Sequence, residues 1–562
     1  MKKFIISLIS ICFLCSSFVY GQTPFLLNEF WKTASVNDVN SAVANGADVN
    51  AIENGMVTAL VIAAQNNENP DVIEQLVTLG ADVDARDSLT GDTVLTFAVA
   101  KNQNPDVIER LVKLGADVNA RGNLGSTALH SAAGSSENPD VIERLVTLGA
   151  DMNVINRMGF TALYNAAAFN SNPDVIERLV ELGADVNARD EKGKTALIFA
   201  AQNNENPGVI ERLVKLGVEV DTRDEQGKTA LIYAAQNNEN PAVLERLVKL
   251  GADIDARNED GWTALVYAAG NNENPDVIER LVKLGANVNA RNEEGRTVLM
   301  MAAGSNENPE IIERLVKLGA DVNAHLEDGW TALMLATIVS TNPDVIERLV
   351  KLGADVDARN ENGCNALMLA AQNNENSDVI EQLVTLGADV NARDEKGKTA
   401  LIHAAGFNEN PEIIERLVKL GTDIDARDEN GGTALVYAAV NNENPDVVER
   451  LVKLGAGIDV RLDNGKTLLM MAAANNTNPD VVERLVKLGS DINARTDGGW
   501  TALMFAAMNN ANPDVLARLV TLGADVNARS ETGINAMDLA KENEALVGTK
   551  AYWALNDALY NK

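Results

Sequence analysis

Short apolar segments alternate with polar ones along most of the chain, and the alternation returns about every 34 residues. In the unit spanning residues 190–223, the segment ALIFAA is almost wholly apolar, and VIERLVKLG mixes apolar with charged residues. In an earlier copy of that second segment, one face of a helix would carry Val107, Ile108, Leu111, Val112 and Leu114. The pattern therefore predicts two short helices in each unit.

The polar residues between these segments predict where the helices begin and end. Thr195 precedes the first helix of its unit and can cap it through its hydroxyl. The following QNNE is predicted to be a loop, because asparagine favours turns and caps over helix interiors. An Asn-Pro pair starts the second helix, and Gly115 ends one in a left-handed conformation. The polar segment after that glycine, ADVNARDEKGK in its regular form, is predicted to be an extended finger with a tight turn.

The Asn-Pro pairs set the number of units, because each pair starts one second helix. The prolines are Pro70, Pro105, Pro139, Pro173, Pro207, Pro241, Pro275, Pro309, Pro343, Pro411, Pro445, Pro479 and Pro513. Ser377 takes the proline's place in one further unit. The spacing predicts fourteen tandem repeats over residues 51–528, and no linker interrupts them.

The two ends of the array depart from the pattern, as the ends of a repeat stack must. Residues 22–50 are predicted to form an N-terminal capping repeat in which Trp31 closes the core. Residues 529–562 are predicted to form a C-terminal capping repeat closed by Trp553.

Residues 1–21 have the composition of a secretory signal peptide. MKK is a short basic start, FIISLISICFLC is apolar, and SSFVYG ends in small residues. Cleavage is expected between Gly21 and Gln22, and an uncleaved anchor is disfavoured because the apolar run is shorter than the ~20 residues that a membrane span needs. We therefore expect an exported protein, periplasmic or secreted, that does not insert into the membrane after cleavage.

The repeats resemble the ankyrin repeat family. The resemblance rests on the finger, the first helix and the second helix of the unit DEKGKTALIFAA…VIERLVKLGADVNAR. Alanine usually replaces the proline of the family's T-P-L-H segment, His130 alone keeps its histidine, and the period is 34 residues rather than 33. The resemblance implies an all-α solenoid of stacked helix-loop-helix units with β-hairpin-like fingers.

Catalytic chemistry is not evident in the sequence. The three histidines, His130, His325 and His403, lie in different repeats, and convergence into a catalytic or metal constellation is not expected in a near-linear array. The acidic segments DVDARD (82–87) and DIDARN (253–258) carry arginine at the fifth place, where an EF-hand loop needs an oxygen ligand. We expect a protein that is not an enzyme and has no catalytic residue, bound metal or cofactor.

The net charge narrows the classes of binding partner, and the cysteine content indicates whether disulfides form. The formal net charge is −33, which disfavours binding to nucleic acid or to an anionic membrane surface. Most of that charge is explained by acidic residues that recur at helix starts. Cys364 is the only cysteine left after the signal peptide, so no intramolecular disulfide is expected.

Function on a repeat scaffold is expected at exposed positions that differ between copies. The residue between the finger glycine and the threonine varies most, and in the family that position faces the concave surface. Apolar residues also replace polar ones in the finger of residues 324–331 and in several loops. The candidate partner-binding residues are Phe160, Phe169, Trp262, Arg296, Leu326, Trp330, Ile338, Val339, Phe407 and Trp500.

Two interpretations of these residues stay open. In the first interpretation, they are anchors of a partner interface. In the second, each ring lies flat on the neighbouring finger and the apolar loop residues pack locally. A second aromatic row in the first helices, with Phe199, Tyr233, Tyr267, Tyr437 and Phe505, is interpreted as core packing.

The predicted function is that of a non-catalytic, monomeric scaffold that binds a protein partner through its concave face. A secreted effector that acts on host or competitor-cell proteins is the first alternative. A structural spacer of the cell envelope, for which only length matters, is the second.

Overall fold

A computed structural model describes residues 28–50, 52–53, 57–340, 342–461 and 465–560. The predicted signal peptide, residues 1–21, lies outside these ranges. The chain divides into two compact units, residues 1–259 and 260–562, and each is described by itself. No described helix is both long and apolar enough to cross a lipid bilayer.

The first unit contains an N-terminal helix pair and six regular helix pairs among its described residues. A short antiparallel hairpin, Ile52–Glu53 with Val57–Thr58, forms one finger. The helices are Asn28–Trp31, Val36–Ala44, Ala59–Asn66, Pro70–Thr78, Val94–Lys101, Pro105–Lys113, Ala128–Ser135, Pro139–Thr147, Ala162–Phe169, Pro173–Glu181, Ala196–Asn203, Pro207–Lys215, Ala230–Asn237 and Pro241–Lys249.

The second unit contains eight regular helix pairs and a C-terminal pair among its described residues. The helices are Ala264–Asn271, Pro275–Lys283, Val298–Ser305, Pro309–Lys317, Ala332–Val339, Pro343–Lys351, Ala366–Asn373, Ser377–Thr385, Ala400–Phe407, Pro411–Lys419, Ala434–Asn441, Pro445–Lys453, Leu468–Asn475, Pro479–Lys487, Ala502–Asn509, Pro513–Thr521, Ala536–Ala540 and Lys550–Tyr560. In both units first helices pack on first helices and second helices on second helices.

Local residue chemistry explains most helix boundaries. The Asn206 side chain accepts a hydrogen bond from the backbone N–H of Gly208, so the Asn-Pro start of the second helix is confirmed. Gly115, with φ of 114°, ends a second helix in the left-handed region as predicted. The hydroxyl cap predicted at Thr195 is wrong, because that buried hydroxyl has no hydrogen-bond partner in the structure. The equivalent Thr229 does accept from the N–H of Ile232.

The predicted loop between the helices is shorter than the sequence suggested. The first helix Ala196–Asn203 includes the first two residues of QNNE, so its last turn is polar but helical. The helix tolerates Asn203 because its side-chain amide donates to the carbonyl of Phe199, one turn earlier. The same applies to the helix that ends at Val339, so Ile338 and Val339 lie in a helix rather than in a loop.

An asparagine follows most of the described first helices and joins neighbouring repeats, and Ser136 and Ser340 take its place in two of them. Asn204 is buried, and its amide donates to the carbonyls of Ala167 and Asn170 in the preceding repeat. Its side-chain oxygen accepts from the N–H of Asn206. Asn238 repeats the arrangement one unit later by donating to Asn204. A row of buried amides therefore stabilises the stack, because each one satisfies backbone groups that the loop would otherwise bury without partners.

Ion pairs join neighbouring second helices. Arg518 of one helix pairs with Asp480 and Glu483 of the helix before it. Glu483 also pairs with Lys487 one turn later, and that hydrogen bond is the main reason why its pKa is lowered. These groups are exposed to solvent, so each pair contributes little to the free energy of unfolding. These ion pairs explain why charged residues recur in the second helices, and no bound ligand is needed to explain them.

The two ends of the array close differently from each other. Trp31 is fully buried, and its carbonyl accepts from the Asn67 amide, which confirms its predicted role. The prediction for Trp553 is wrong, because that side chain is 56% exposed and stands edge-on to Tyr552. Ala551 and Leu555, one turn apart, form the buried face of the last helix. Trp553 lies between them in sequence and so points away from the core.

The Ser377→Pro variant is expected to raise the free energy of unfolding by about 0.4–1 kcal/mol. Ser377 is the first residue of its helix, where an N–H has no helical partner. The preceding Asn376 has φ of −87° and ψ of 108°, nearly the dihedral angles of Asn410 before Pro411. Urea denaturation with hydrogen exchange over residues 365–390 measures the change. Exchange that is unchanged or faster there would contradict the expectation.

Candidate interaction surface

The fingers are fixed by hydrogen bonds of their own. The carboxylate of Asp190 accepts from the backbone N–H groups of Lys192 and Lys194. Gly193, with φ of 76°, makes the turn between them. Lys194 is thereby directed back over the first helices, and its amine lies 4.2 Å from the centre of the Tyr233 ring. The position after the finger glycine is thus half-buried, although the sequence suggested an exposed one.

Two of the four predicted fingertip aromatics, Phe160 and Trp500, also fold back onto the first helices. The Phe160 ring lies 4.7 Å from the Phe199 ring, and Trp500 lies 5.5 Å from Phe505. Trp262 and Trp330 are also half-buried, whereas Arg296 is exposed and pairs with Glu294 at 3.1 Å. For Phe160 and Trp500 the structure shows the packing interpretation. Whether these residues also contact a partner stays a prediction.

The predicted core position of the second aromatic row is confirmed for Phe199, Tyr233 and Phe505, which are buried. Tyr267 and Tyr437 are half-buried. Tyr233 and Tyr437 each donate from the hydroxyl to the finger carboxylate of their own repeat, Asp224 and Asp428, at 2.7 and 2.6 Å. Burial is the main cause that raises the pKa of Tyr437. The tyrosine therefore holds the finger against the first helix.

Three predicted residues share one exposed position, the last residue of a first helix. Phe169, Val339 and Phe407 are 52%, 54% and 53% exposed. Regular repeats carry asparagine here, as at Asn203 and Asn373. In the first unit, Phe169 borders an open depression of about 580 Å3 formed by two adjacent inter-helix loops. The fold itself therefore does not require an apolar side chain at this position.

The predicted cluster around residues 326–339 divides between a finger and a helix. Leu326 donates its N–H to the carbonyl of Trp330, so the two share one finger. Leu326 is half-buried, with one methyl 3.7 Å from the site a side-chain carbon would take on Gly295. Ile338 is half-buried, and Val339 is exposed at the end of the following helix.

A further group of exposed apolar residues in the first unit was missed by the sequence analysis. Leu89, Leu124 and Met158 stand on three consecutive fingertips and are 66%, 60% and 53% exposed. The fingers are adjacent, because the Asn123 amide donates to the carbonyl of Leu89 and the N–H of Arg157 donates to the carbonyl of Leu124. We call Leu89, Leu124 and Met158 the apolar fingertip row.

The signal for this row was present in the aligned repeats. Leu124 and Met158 occupy the place just before the finger glycine, where the next two units carry Lys192 and Gln226. The sequence instead suggested that the residue after that glycine is the exposed one. The structure shows that the earlier residue is the exposed one and the later residue is folded back.

The histidines occupy three different environments. His325 is exposed, and His130 is buried, with its Nε2 facing the carbonyl of Phe160 at 3.0 Å and its Nδ1 facing the hydroxyl of Thr127 at 3.0 Å. One neutral tautomer satisfies both contacts, and burial lowers the pKa of His130. His130 therefore has a structural role in the first turn of its helix.

His403 contradicts the expectation that no cluster can converge. It lies beside Cys364 and Asp394, and the three ligand atoms are within 4.8 Å of one another. Residues 30 to 39 apart become neighbours when repeats stack, so a linear array can still bring them together. In the described part of the chain, this is the one group of histidine, cysteine and carboxylate side chains close enough to hold a metal ion.

Stacked helix pairs with projecting fingers, joined through their loops, define a helical repeat protein. A family model described as "Ankyrin repeats (3 copies)" matches the chain repeatedly, at residues 33–122, 60–156, 100–190, 129–224, 163–258, 197–292, 231–325, 299–394, 367–461 and 436–530. The chain belongs to the ankyrin repeat family, whose repeats are protein-interaction modules. No curated protein matches the sequence.

Proposed function

We propose that this protein is a non-catalytic scaffold that binds a protein partner through the face formed by its fingers and first helices. That face is the concave one in the solenoid that the family implies. The observation that carries the proposal is the apolar fingertip row, three exposed apolar side chains on adjacent fingers. Exposed contiguous apolar groups are typical of interaction sites.

Position, rather than apolar character alone, supports an interaction role. Fingers with Lys192 or Gln226 at the tip keep the same hydrogen-bonded turn as the finger of Met158. The fold therefore does not need a leucine or methionine there. The exposed Phe169, at the end of a first helix in the same unit, adds a further apolar group. A partner surface that is itself apolar fits this row.

Apolar residues in the second unit support a second region of contact with the partner. Trp330, Val339 and Phe407 interrupt positions that are polar in regular repeats, and Val339 and Phe407 are exposed. The variant with Trp330→Ala, Ile338→Asn and Val339→Asn tests it.

Partner capture is expected to depend on these apolar residues. The variant with Leu89→Ser, Leu124→Lys and Met158→Gln should lose at least tenfold in affinity, equivalent to ~1.4 kcal/mol, while its circular dichroism stays unchanged. The Trp330, Ile338 and Val339 variant should lose as much. The full mature chain serves as bait in an extract of its native envelope, and captured proteins are quantified by mass spectrometry.

The matched control is Lys192→Ala with Gln226→Ala, which changes exposed tips of regular fingers. Lys194 and Lys398 are poorer controls, because both stack on tyrosine rings. Capture that survives in both apolar variants would exclude these surfaces. A native chain that captures nothing would instead favour the envelope spacer, and capture only from host or competitor-cell extracts would favour the effector.

Export is part of the same proposal and has its own measurement. The basic, apolar and small-residue segments of residues 1–21 support cleavage before Gln22. The intact mass of the protein purified from its native source should therefore correspond to a chain that begins at Gln22. A mass that includes Met1 in the envelope fraction would refute cleavage.

A further inference from the structure

Cys364, Asp394 and His403 come from two neighbouring repeats of the second unit and meet behind one finger. Cys364 follows the glycine of one finger, Asp394 begins the turn of the next finger, and His403 lies in the first helix after it. The Nε2 of His403 is 3.0 Å from the Oδ2 of Asp394 and 3.9 Å from the Sγ of Cys364. Cys364 and His403 are buried.

The arrangement differs from a nucleophilic relay. In a relay, the nucleophile and the carboxylate bind opposite nitrogens of the imidazole ring. Here both the thiol and the carboxylate face Nε2, and the opposite nitrogen, Nδ1, faces the Oε1 of Gln372 at 3.1 Å. The three ligand atoms, one from each side chain, face one another closely enough that they could hold a metal ion.

The distances suit a small dication. In a tetrahedral zinc site, bonds of about 2.0–2.3 Å place neighbouring nitrogen, oxygen and sulfur ligands about 3.3–3.6 Å apart. The observed separations of 3.9 and 3.0 Å from Nε2 lie within a few tenths of an ångström of that range. All three ligand atoms lie within 4.8 Å of one another, so the side chains would have to draw closer together around the ion.

The surroundings of the imidazole ring also suit a bound cation. The Asp394 carboxylate faces Nε2 at 3.0 Å, and the Oε1 of Gln372 faces the opposite nitrogen, Nδ1, at 3.1 Å. A dication on Nε2 leaves the Nδ1 proton for Gln372, as outer-shell partners of metal-bound histidines usually require.

Regular repeats show that the fold does not require this cysteine and histidine. At the equivalent junctions, Lys194 stacks on Tyr233 and Lys398 stacks on Tyr437, with the amines 4.2 and 4.4 Å from the ring centres. Each tyrosine makes the bond to the finger carboxylate that His403 makes to Asp394. Only at the junction of residues 364 and 403 do a thiol and an imidazole replace the lysine and the tyrosine together.

We propose that Cys364, Asp394 and His403 bind a borderline-soft divalent transition metal of the zinc class. The protein supplies three ligands, thiolate, carboxylate and imidazole, and water completes the tetrahedron. Binding releases the thiol proton to solvent. The ion joins two neighbouring repeats, so its binding free energy adds to the stability of this part of the stack.

Cobalt spectroscopy on the full mature chain tests the site. After chelator treatment and reduction, Co2+ should bind with one-to-one stoichiometry and produce a thiolate-to-cobalt charge-transfer band, and Zn2+ should displace it. Cys364→Ser should abolish the band. Asp394→Asn should weaken binding at least tenfold, as should His403→Tyr, which keeps a donor for Asp394. Mg2+ and Ca2+ should compete with neither metal.

The matched control is the double variant Cys364→Lys with His403→Tyr, which recreates the regular lysine–tyrosine junction. It should keep the circular dichroism of the native chain and show no rise in melting temperature with Zn2+, whereas the native chain should show one. A native chain that binds Co2+ without the thiolate band would overturn the proposal. So would equal affinity in the native chain and the Cys364→Ser variant.

Discussion

Replacing Asn442 by alanine is expected to lower the free energy of unfolding of the second unit by about 2–4 kcal/mol. Asn442 is buried at the loop between two helices. Its amide donates to the carbonyls of Ala405 and Asn408 at 3.1 and 2.8 Å, and its side-chain oxygen accepts from the N–H of Asn444 at 2.9 Å. Alanine removes all three bonds at once.

The effect is large because backbone groups remain in place after the side chain is gone. A buried donor or acceptor that loses its partner costs about 1–3 kcal/mol, more than a typical exposed hydrogen bond contributes. Two of the affected carbonyls belong to the preceding repeat, so the loss also loosens the contact between the repeats. Urea denaturation followed by circular dichroism, with hydrogen exchange in residues 400–450, measures both changes.

Asn441 provides a control of identical chemistry one residue earlier. It is the last residue of its helix and is exposed. Asn441→Ala should change the free energy of unfolding by less than about 0.5 kcal/mol. Equal effects of the two substitutions would show that the buried amide row does not stabilise the stack.

Replacing Gly329 by alanine should also destabilise the second unit strongly, by about 2–5 kcal/mol. Gly329 has φ of 82°, where an L-residue is strained. A side-chain carbon would also lie 2.8 Å from Cα of Asn360 and 2.9 Å from the carbonyl oxygen of Arg359, both backbone atoms of the next finger. The next finger would have to move, which would weaken the hydrogen bond from the N–H of Glu361 to the carbonyl of Asp328.

Gly319 is a control position that has the backbone strain but not the steric clash with a neighbouring finger. It also has a positive φ, 100°, but no atom lies within 4 Å of the added carbon. Gly319→Ala should therefore cost only the backbone strain, about 1–2 kcal/mol. Thermal and urea denaturation of both variants give the difference. If Gly319→Ala proves as destabilising as Gly329→Ala, the contact between neighbouring fingers does not contribute.

The candidate surfaces could be predicted only in part. Phe169, Val339 and Phe407 were identified because they break a repeated polar position, and they are exposed. The sequence could not show that Phe160 and Trp500 fold back onto Phe199 and Phe505. Finger hydrogen bonds decide which of two adjacent residues points outward, and the repeat pattern does not contain that information.

The sequence by itself determined the helix pairs, their starts at Asn-Pro, their ends at glycine and the period of the fingers. These features follow from residues close in the chain, where capping, proline geometry and left-handed glycine act locally. Only the tertiary structure decided which side chains of neighbouring repeats are in contact. The bonds from Asn442 to the preceding loop, the outward direction of Trp553 and the group of Cys364, Asp394 and His403 depend on how one repeat stacks on the next. Stacking sets which side chains 30 to 39 residues apart become neighbours, and in which orientation, and no local preference specifies that.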